Sequence, residues 1–155
     1  MFVVDTNSFR VLGGYYPDVF PTFWTQLDEA VAGGHIGSVR EVRKELELQD
    51  ASEHLGIWVS RNSLVFPTPT ESEMHMVAEI FRVPHFQQLI GEKQRLRGQP
   101  VADPFIVARA HQMGWCVVTE EAMKPNAAKI PNVCKHFGVE CTDMKGLLTR
   151  FGWRY

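Results

Sequence analysis

Six acidic side chains stand where the sequence could do chemistry: Asp5, Glu41, Glu45, Asp103, Glu120 and Glu121. Asp5 ends the apolar run Phe2-Val3-Val4 and is followed by the small polar residues Thr6-Asn7-Ser8. Glu41 and Glu45 are one helical turn apart and share a face. Asp103 precedes Pro104 at the start of a helical pattern, and Glu120-Glu121 follow the apolar run Trp115-Cys116-Val117-Val118-Thr119. Carboxylates crowded together repel, and removal from water raises the cost. A divalent cation relieves that repulsion. A donor set of oxygens, without spaced His or Cys, favours Mg²⁺ or Mn²⁺ over zinc. Such ions serve phosphoryl chemistry, in many enzymes as a pair about 3.5–4 Å apart.

The elements that must position these acids follow from the pattern. Phe2-Val3-Val4 reads as a short buried strand, and open α/β sheets place their chemistry at the carboxyl ends of such strands. Helical spacing runs from Pro21 through Phe23, Trp24, Leu27, Ala30 and Val31 to the stop Gly33-Gly34. His35-Ile36-Gly37 is a brief extended connection. Ser38-Val39-Arg40-Glu41 opens the next helix, which continues through Leu46. A further helical stretch contains Leu55, Trp58 and Val59. Leu64-Val65-Phe66 reads as a strand closed by Pro67. Helical patterns then cover about 70–81 and about 86–96. Asp103-Pro104 starts a helix that Gly114 ends, with Pro at a favoured first position. Residues 115–119 form the clearest strand, followed by a helix over 130–137, a strand over 139–141 and a helix over 143–151. Strands alternate with helices, so the expected fold is α/β, a mainly parallel central sheet flanked by helices. In a parallel sheet, strand carboxyl ends and helix amino ends share one edge, so all the acids could meet there.

Each acid also has a plainer role. Ser38 and Glu41 have capping-box spacing. Asp103 before Pro104 reads as an ordinary N-cap. Glu120 and Glu121 could be solvated loop residues. Asp5 fits such a role least well, because an acid at the end of a buried run needs a partner.

Composition narrows the field. The chain has 155 residues, suited to one domain over 1–155, and 45% are apolar. A net charge of -2 and a pI near 6.3 argue against a strongly basic nucleic-acid binder, though not against an enzyme that binds nucleic acid and turns over. Three cysteines, Cys116, Cys134 and Cys141, without C-x-x-C spacing fit a reducing cytoplasm better than a disulfide framework or a zinc cluster. The amino terminus has no basic region before a long apolar stretch, so no signal peptide is expected. No apolar run approaches the roughly 20 residues that span a bilayer, so no membrane association is expected.

The residues resemble the PIN-domain ribonucleases, of the VapC kind, and within them a prokaryotic PIN-like family of unassigned function. The pattern of that superfamily is an apolar strand ending Asp-Thr-Asn, a helix with Ser/Thr-x-x-Glu-Val, an Asp opening a helix, and an apolar strand ending Val-Thr-x-Asp. Here these are Val3-Val4-Asp5-Thr6-Asn7, Ser38-Val39-Arg40-Glu41-Val42, Ala102-Asp103-Pro104 and Val117-Val118-Thr119-Glu120-Glu121. The resemblance implies a single PIN-like nuclease domain and a Mg²⁺- or Mn²⁺-dependent RNA endonuclease. It implies metal binding by Asp5, Glu41, Asp103 and Glu121, with Glu45 and Glu120 as alternates, and supporting roles for Thr6, Asn7 and Thr119. Many relatives are toxins of type II toxin–antitoxin modules, so a cognate antitoxin and a homodimer are implied partners beside RNA. Two departures stand out. The fourth acid is usually Asp and here is Glu120 or Glu121. Glu121 is preferred as the second residue after Thr119. The second acid is either Glu41 or Glu45.

For the substrate's phosphates, Arg40, Arg43, Lys44, Lys93, Arg95, Arg97 and Lys124 lie near the expected edge or on loops facing it. Any one of them could equally be a solvated surface cation. The six histidines show no metal-ligand spacing, and the four tryptophans read as core. Two other readings compete. One is a PIN-fold binding module with little catalysis, which the longer Glu and the modest charge favour. The other is a haloacid-dehalogenase-like phosphatase, which also begins with a strand-end Asp but resembles Asp-x-Asp where this chain has Asn7.

Overall fold

Two apolar triplets, Phe-Val-Val and Cys-Val-Val, form the centre of the sheet. Strand β1 (Phe2–Val4) and strand β3 (Cys116–Val118) are buried along their whole length. β-Branched side chains pack well on a pleated surface, and burying each valine contributes about 1.5–3 kcal/mol. The structure, a computed structural model, describes residues 1–49, 51–91 and 97–155. Strands β2 (Ile36–Gly37) and β4 (Cys141–Thr142) complete a four-stranded sheet in the order β2-β1-β3-β4, parallel throughout. The expected α/β class, with helices flanking a parallel sheet, is what the chain adopts.

The chain leaves β1 toward one side for β2, then crosses to the other side for β3 and β4. The order therefore reverses between β1 and β3, where open α/β sheets form a crevice. Val4 pairs with Val118, which sets Asp5 beside Thr119 just past the strand ends. The Asp5 amide donates to the Val118 carbonyl at 3.0 Å, so the register extends one residue into the site.

Helix α1 (Thr6–Leu12) starts at once after β1, and α2 (Pro21–Ala32) lays Phe23, Trp24, Leu27 and Ala30 on the core. Helices α3 (Arg40–Leu48) and α4 (Glu53–Arg61) follow β2. Helix α5 (Glu71–Arg82) packs along α6 (Asp103–Met113), which Gly114 ends with φ +65, a left-handed value that favours glycine. Helix α7 (Ile130–Phe137) links β3 to β4, and α8 (Met144–Phe151) closes the chain. The buried apolar residues form one cluster, with Phe9, Phe23, Leu55 and Ile80 among its fully enclosed members. Trp24 and Trp58 lie inside it, while Trp115 and Trp153 pack half-buried against it. Among the described residues, no helix is long and apolar enough to cross a membrane.

Three segments differ from the pattern-based reading, one of them only in its bounds: the strand expected over 139–141 is Cys141–Thr142. Leu64-Val65-Phe66 is not a strand. Residues Ser63–Val65 form a 3₁₀ turn, with Leu64 94% exposed while Val65 and Phe66 are buried. The segment still ties into the fold, because the Val65 and Pro67 carbonyls accept from the amides of Ser38 and Arg40 at 2.9 and 3.1 Å. The helix expected from Phe86 is instead a 3₁₀ stretch over Pro84–Leu89, whose aromatic and apolar anchors Phe86 and Leu89 suit the tighter three-residue turn. The remainder of that expectation, with Lys93 and Arg95, lies outside the described residues.

Candidate metal centre

Asp5 is 2% exposed at the reversal point of the sheet. It caps α1: its Oδ1 accepts from the Ser8 amide at 2.6 Å. Its Oδ2 accepts from the Thr119 hydroxyl at 2.5 Å. Burial pushes the Asp5 carboxyl above the usual carboxylate range, the Thr119 and Ser8 hydrogen bonds pull it back, and Glu121 pushes it up again. No cation pairs with it among the described residues. Ser8 was not among the residues that the sequence singled out, although a small residue three after a strand-end Asp is a recognisable cap pattern.

Asp103 opens α6 one position inside the helix, and Ala102 holds the N-cap position without a side-chain bond. The ordinary N-cap role read from the sequence is therefore corrected: Pro104 follows as the second helical residue, which places Asp103 on the first turn. Its carboxyl is pushed up to about 7. Burial is the largest cause, followed by the charges of Glu121, Glu45 and Asp5, with Lys129 opposing them. Those contributions place the four acids in one electrostatic neighbourhood, drawn from β1, α3, α6 and the loop after β3.

Glu45 is clasped from both sides. One of its oxygens accepts from the Thr6 hydroxyl, and the other accepts from the Ala102 amide at 3.0 Å. It thus bridges the start of α1 to the start of α6. Glu121 reaches the amino end of α7, where its Oε2 accepts from the Ile130 amide at 2.9 Å and its Oε1 lies 3.7 Å from Lys129 Nζ. The Thr119 hydroxyl that holds Asp5 also accepts from the Glu121 amide at 3.2 Å. Glu120 turns the other way and accepts from the Met144 amide at 2.9 Å, at the start of α8.

Glu41 is 5% exposed and faces its neighbour. Its Oε1 accepts from Arg40 Nη2 at 2.7 Å and Nε at 3.0 Å, while its Oε2 is buried without a partner. The capping box read from Ser38 and Glu41 does not form. Val39 is the N-cap of α3, and Ser38 instead donates to the Val4 carbonyl at 2.7 Å. Stitching the end of β1 takes the hydroxyl away from the helix. Asn7 is exposed and accepts from Arg10 at 3.3 Å.

A family model described as a domain of unknown function, DUF4411, matches residues 2–155. The chain belongs to the DUF4411 family. No curated protein matches it.

Among the described residues of this DUF4411 domain, no three His, Cys, Asp or Glu side chains converge closely enough to hold an ion as they stand. Glu45 and Glu121 are held instead by backbone amides and, for Glu121, by Lys129. In donor chemistry the set fits a hard divalent cation. It offers oxygen alone, Asp5 is buried and the other three are half-buried, and burial with mutual repulsion raises Asp103.

The cations of the DUF4411 domain are unevenly placed. Arg40 is committed to Glu41 and Arg43 to Glu47 at 2.8 Å. Lys44, Arg97 and Lys124 are exposed. Lys129, which the sequence did not single out, is the cation that acts on Glu121 and Asp103. Its signal was its position one residue before α7.

Proposed function

We propose that the DUF4411 domain is a PIN-like, metal-dependent RNA endonuclease that hydrolyses phosphodiester bonds. The observation that carries this reading is that Asp5, Glu45, Asp103 and Glu121 act on one another at the reversal point of a parallel sheet, with Asp103 raised to about 7 by burial and by the charges of the other three. In this reading those four side chains hold Mg²⁺ or Mn²⁺. Glu45 takes the place that the sequence left open between Glu41 and Glu45, and Glu121 is preferred to Glu120. When bound, the ion supplies Lewis acidity toward the phosphate and lowers the pKa of a coordinated water. The chain's own residues do the rest. Thr119 fixes the Asp5 carboxylate, Thr6 and the Ala102 amide aim Glu45, and Lys129 moderates the charge of Glu121. Lys44, Arg97 and Lys124 are exposed cations available to RNA phosphates.

The finer reading is a cytoplasmic toxin of a type II toxin–antitoxin module, inhibited by a cognate antitoxin and able to form a homodimer. It rests on the sequence resemblance. Co-purification with the product of an adjacent small open reading frame tests it.

The catalytic reading is tested by incubating a mixed RNA pool with the chain, with and without Mn²⁺, beside Asp5→Asn. Cleavage should require the metal and should fall roughly a thousandfold or more in the variant. Undiminished cleavage by folded Asp5→Asn would refute it. A second reading, a PIN-fold binding module with weak catalysis, is favoured by the amide bonds that hold Glu45 and Glu121 aside. Calorimetry separates the two, because a scaffold would take up no Mn²⁺ at millimolar concentration.

A further inference from the structure

A cavity of about 490 Å³ opens beside the acids, with Thr119 and Glu121 in its wall. That volume lies within the range of small-molecule sites. The opposite wall comes from α7, β4 and the turn into α8. Met123, 47% exposed, and Pro131 give it apolar surface. Three of its polar groups have no protein partner among the described residues: the Lys135 ammonium, the Thr142 hydroxyl and one oxygen of Asp143. Asp143 caps α8 with Oδ1, which accepts from the Gly146 amide at 2.7 Å, and leaves Oδ2 free. Gly146 is what admits the Thr142 side chain, since a Cβ there would lie 1.9 Å from Thr142 Oγ1.

We infer that this cavity is a nucleotide subsite, which receives one RNA nucleotide beside the bond cleaved and reads its base through Asp143 and Thr142. The inference rests on the ribonuclease reading above. Its chemistry is specific. A carboxylate oxygen accepts from an exocyclic amino group, as acidic residues do from cytosine N4. Uracil presents O4 where cytosine presents N4, which would set oxygen against oxygen. Lys135 supplies the charge for a phosphate, and Met123 with Pro131 supplies apolar surface for the flat face of the base. The base therefore carries an amino group, and uracil is disfavoured.

The test titrates the full chain with CMP, UMP and inorganic phosphate and follows backbone amide shifts at Thr142, Asp143 and Gly146. CMP should bind about tenfold more tightly than UMP. Inorganic phosphate should bind more weakly than CMP. Asp143→Asn keeps the helix cap, because Asn caps as well as Asp, but turns the free oxygen into a donor. That variant should lose the preference for CMP, and Lys135→Ala should weaken both nucleotides together. Equal affinity for CMP and UMP, phosphate binding as tight as CMP, or an unchanged preference in Asp143→Asn would each overturn the subsite. Selective CMP binding by a chain that cleaves no RNA removes the ribonuclease reading and leaves the subsite standing. Cleavage of RNA by a chain that treats CMP and UMP alike removes the subsite alone.

Discussion

Two of the places where the fold encloses acidic side chains treat them in opposite ways. Between α5 and α6, Glu73 is 2% exposed and is fully answered. Its Oε1 lies 2.9 Å from Arg109 Nη1, its Oε2 accepts from the Thr70 amide at 3.2 Å, and Arg109 in turn lies over the Trp115 ring. At the sheet edge, Asp5 receives a hydroxyl and an amide but no cation, and Asp103 has only Lys129, acting from beside Glu121, against three neighbouring acids. A buried charge with a partner is part of the architecture. A cluster of acids without one costs stability, and chains keep such clusters where a ligand completes them.

Removing a partner should therefore matter far more in the first place than removing an acid in the second. Arg109→Ala leaves the Glu73 charge buried and unpaired, and should cost about 3–5 kcal/mol of stability. Asp5→Asn removes a charge that burial already opposes, while Asn still accepts from Ser8. It should leave stability within about 1 kcal/mol of the parent or raise it. Urea unfolding of both variants at neutral pH measures the contrast. A larger loss in Asp5→Asn than in Arg109→Ala would erase the distinction between the two regions.

The same contrast has a pH signature. The Asp103 carboxyl is raised from 3.8 to about 7 in the folded chain. Between those values the folded state holds a proton that the unfolded state has released. Through this group, stability is greatest below about pH 4, declines as pH climbs, and the loss is complete once pH passes about 7. Asp103→Asn should abolish that decline and gain about 2 kcal/mol at alkaline pH, less than the full shift would give because neighbouring acids titrate with it. Denaturant midpoints at about pH 5 and pH 8 would register it. Equal slopes in parent and variant would mean that Asp103 is already compensated.

Much of this was legible in the sequence, and the parts that were not share a cause. The runs Phe2-Val3-Val4 and Cys116-Val117-Val118 announce buried parallel strands, and a parallel sheet alone sets Asp5, Asp103 and Glu121 on one edge. Side-chain direction is another matter. Ser38 and Glu41 have the spacing of a capping box, yet the box that forms is Thr70 with Glu73, of the same spacing. What decides is whether a hydroxyl has a stronger call elsewhere, and Ser38 does, on the Val4 carbonyl. Likewise Asp143 and Thr142 gave no signal, because their free groups become visible only when α7, β4 and α8 are set around a common space.

The choice between Glu41 and Glu45 shows the same limit and yields the smallest effect. The two are one turn apart on one face of α3, so periodicity cannot separate them. The structure aims them differently: Glu41 is bound by Arg40, and Glu45 is tied to the starts of α1 and α6, where it raises the Asp103 carboxyl. Glu41 has one claim left, its buried and unpartnered Oε2. An oxygen in that state would gain from a cation, but Arg40 already satisfies the charge of the same carboxylate. Glu45→Gln should therefore weaken Mn²⁺ binding about 10- to 100-fold, and Glu41→Gln about threefold or less. Isothermal titration of both variants decides it. The reverse order would move the ligand to Glu41, and with it the boundary between the compensated and the uncompensated acids of the fold.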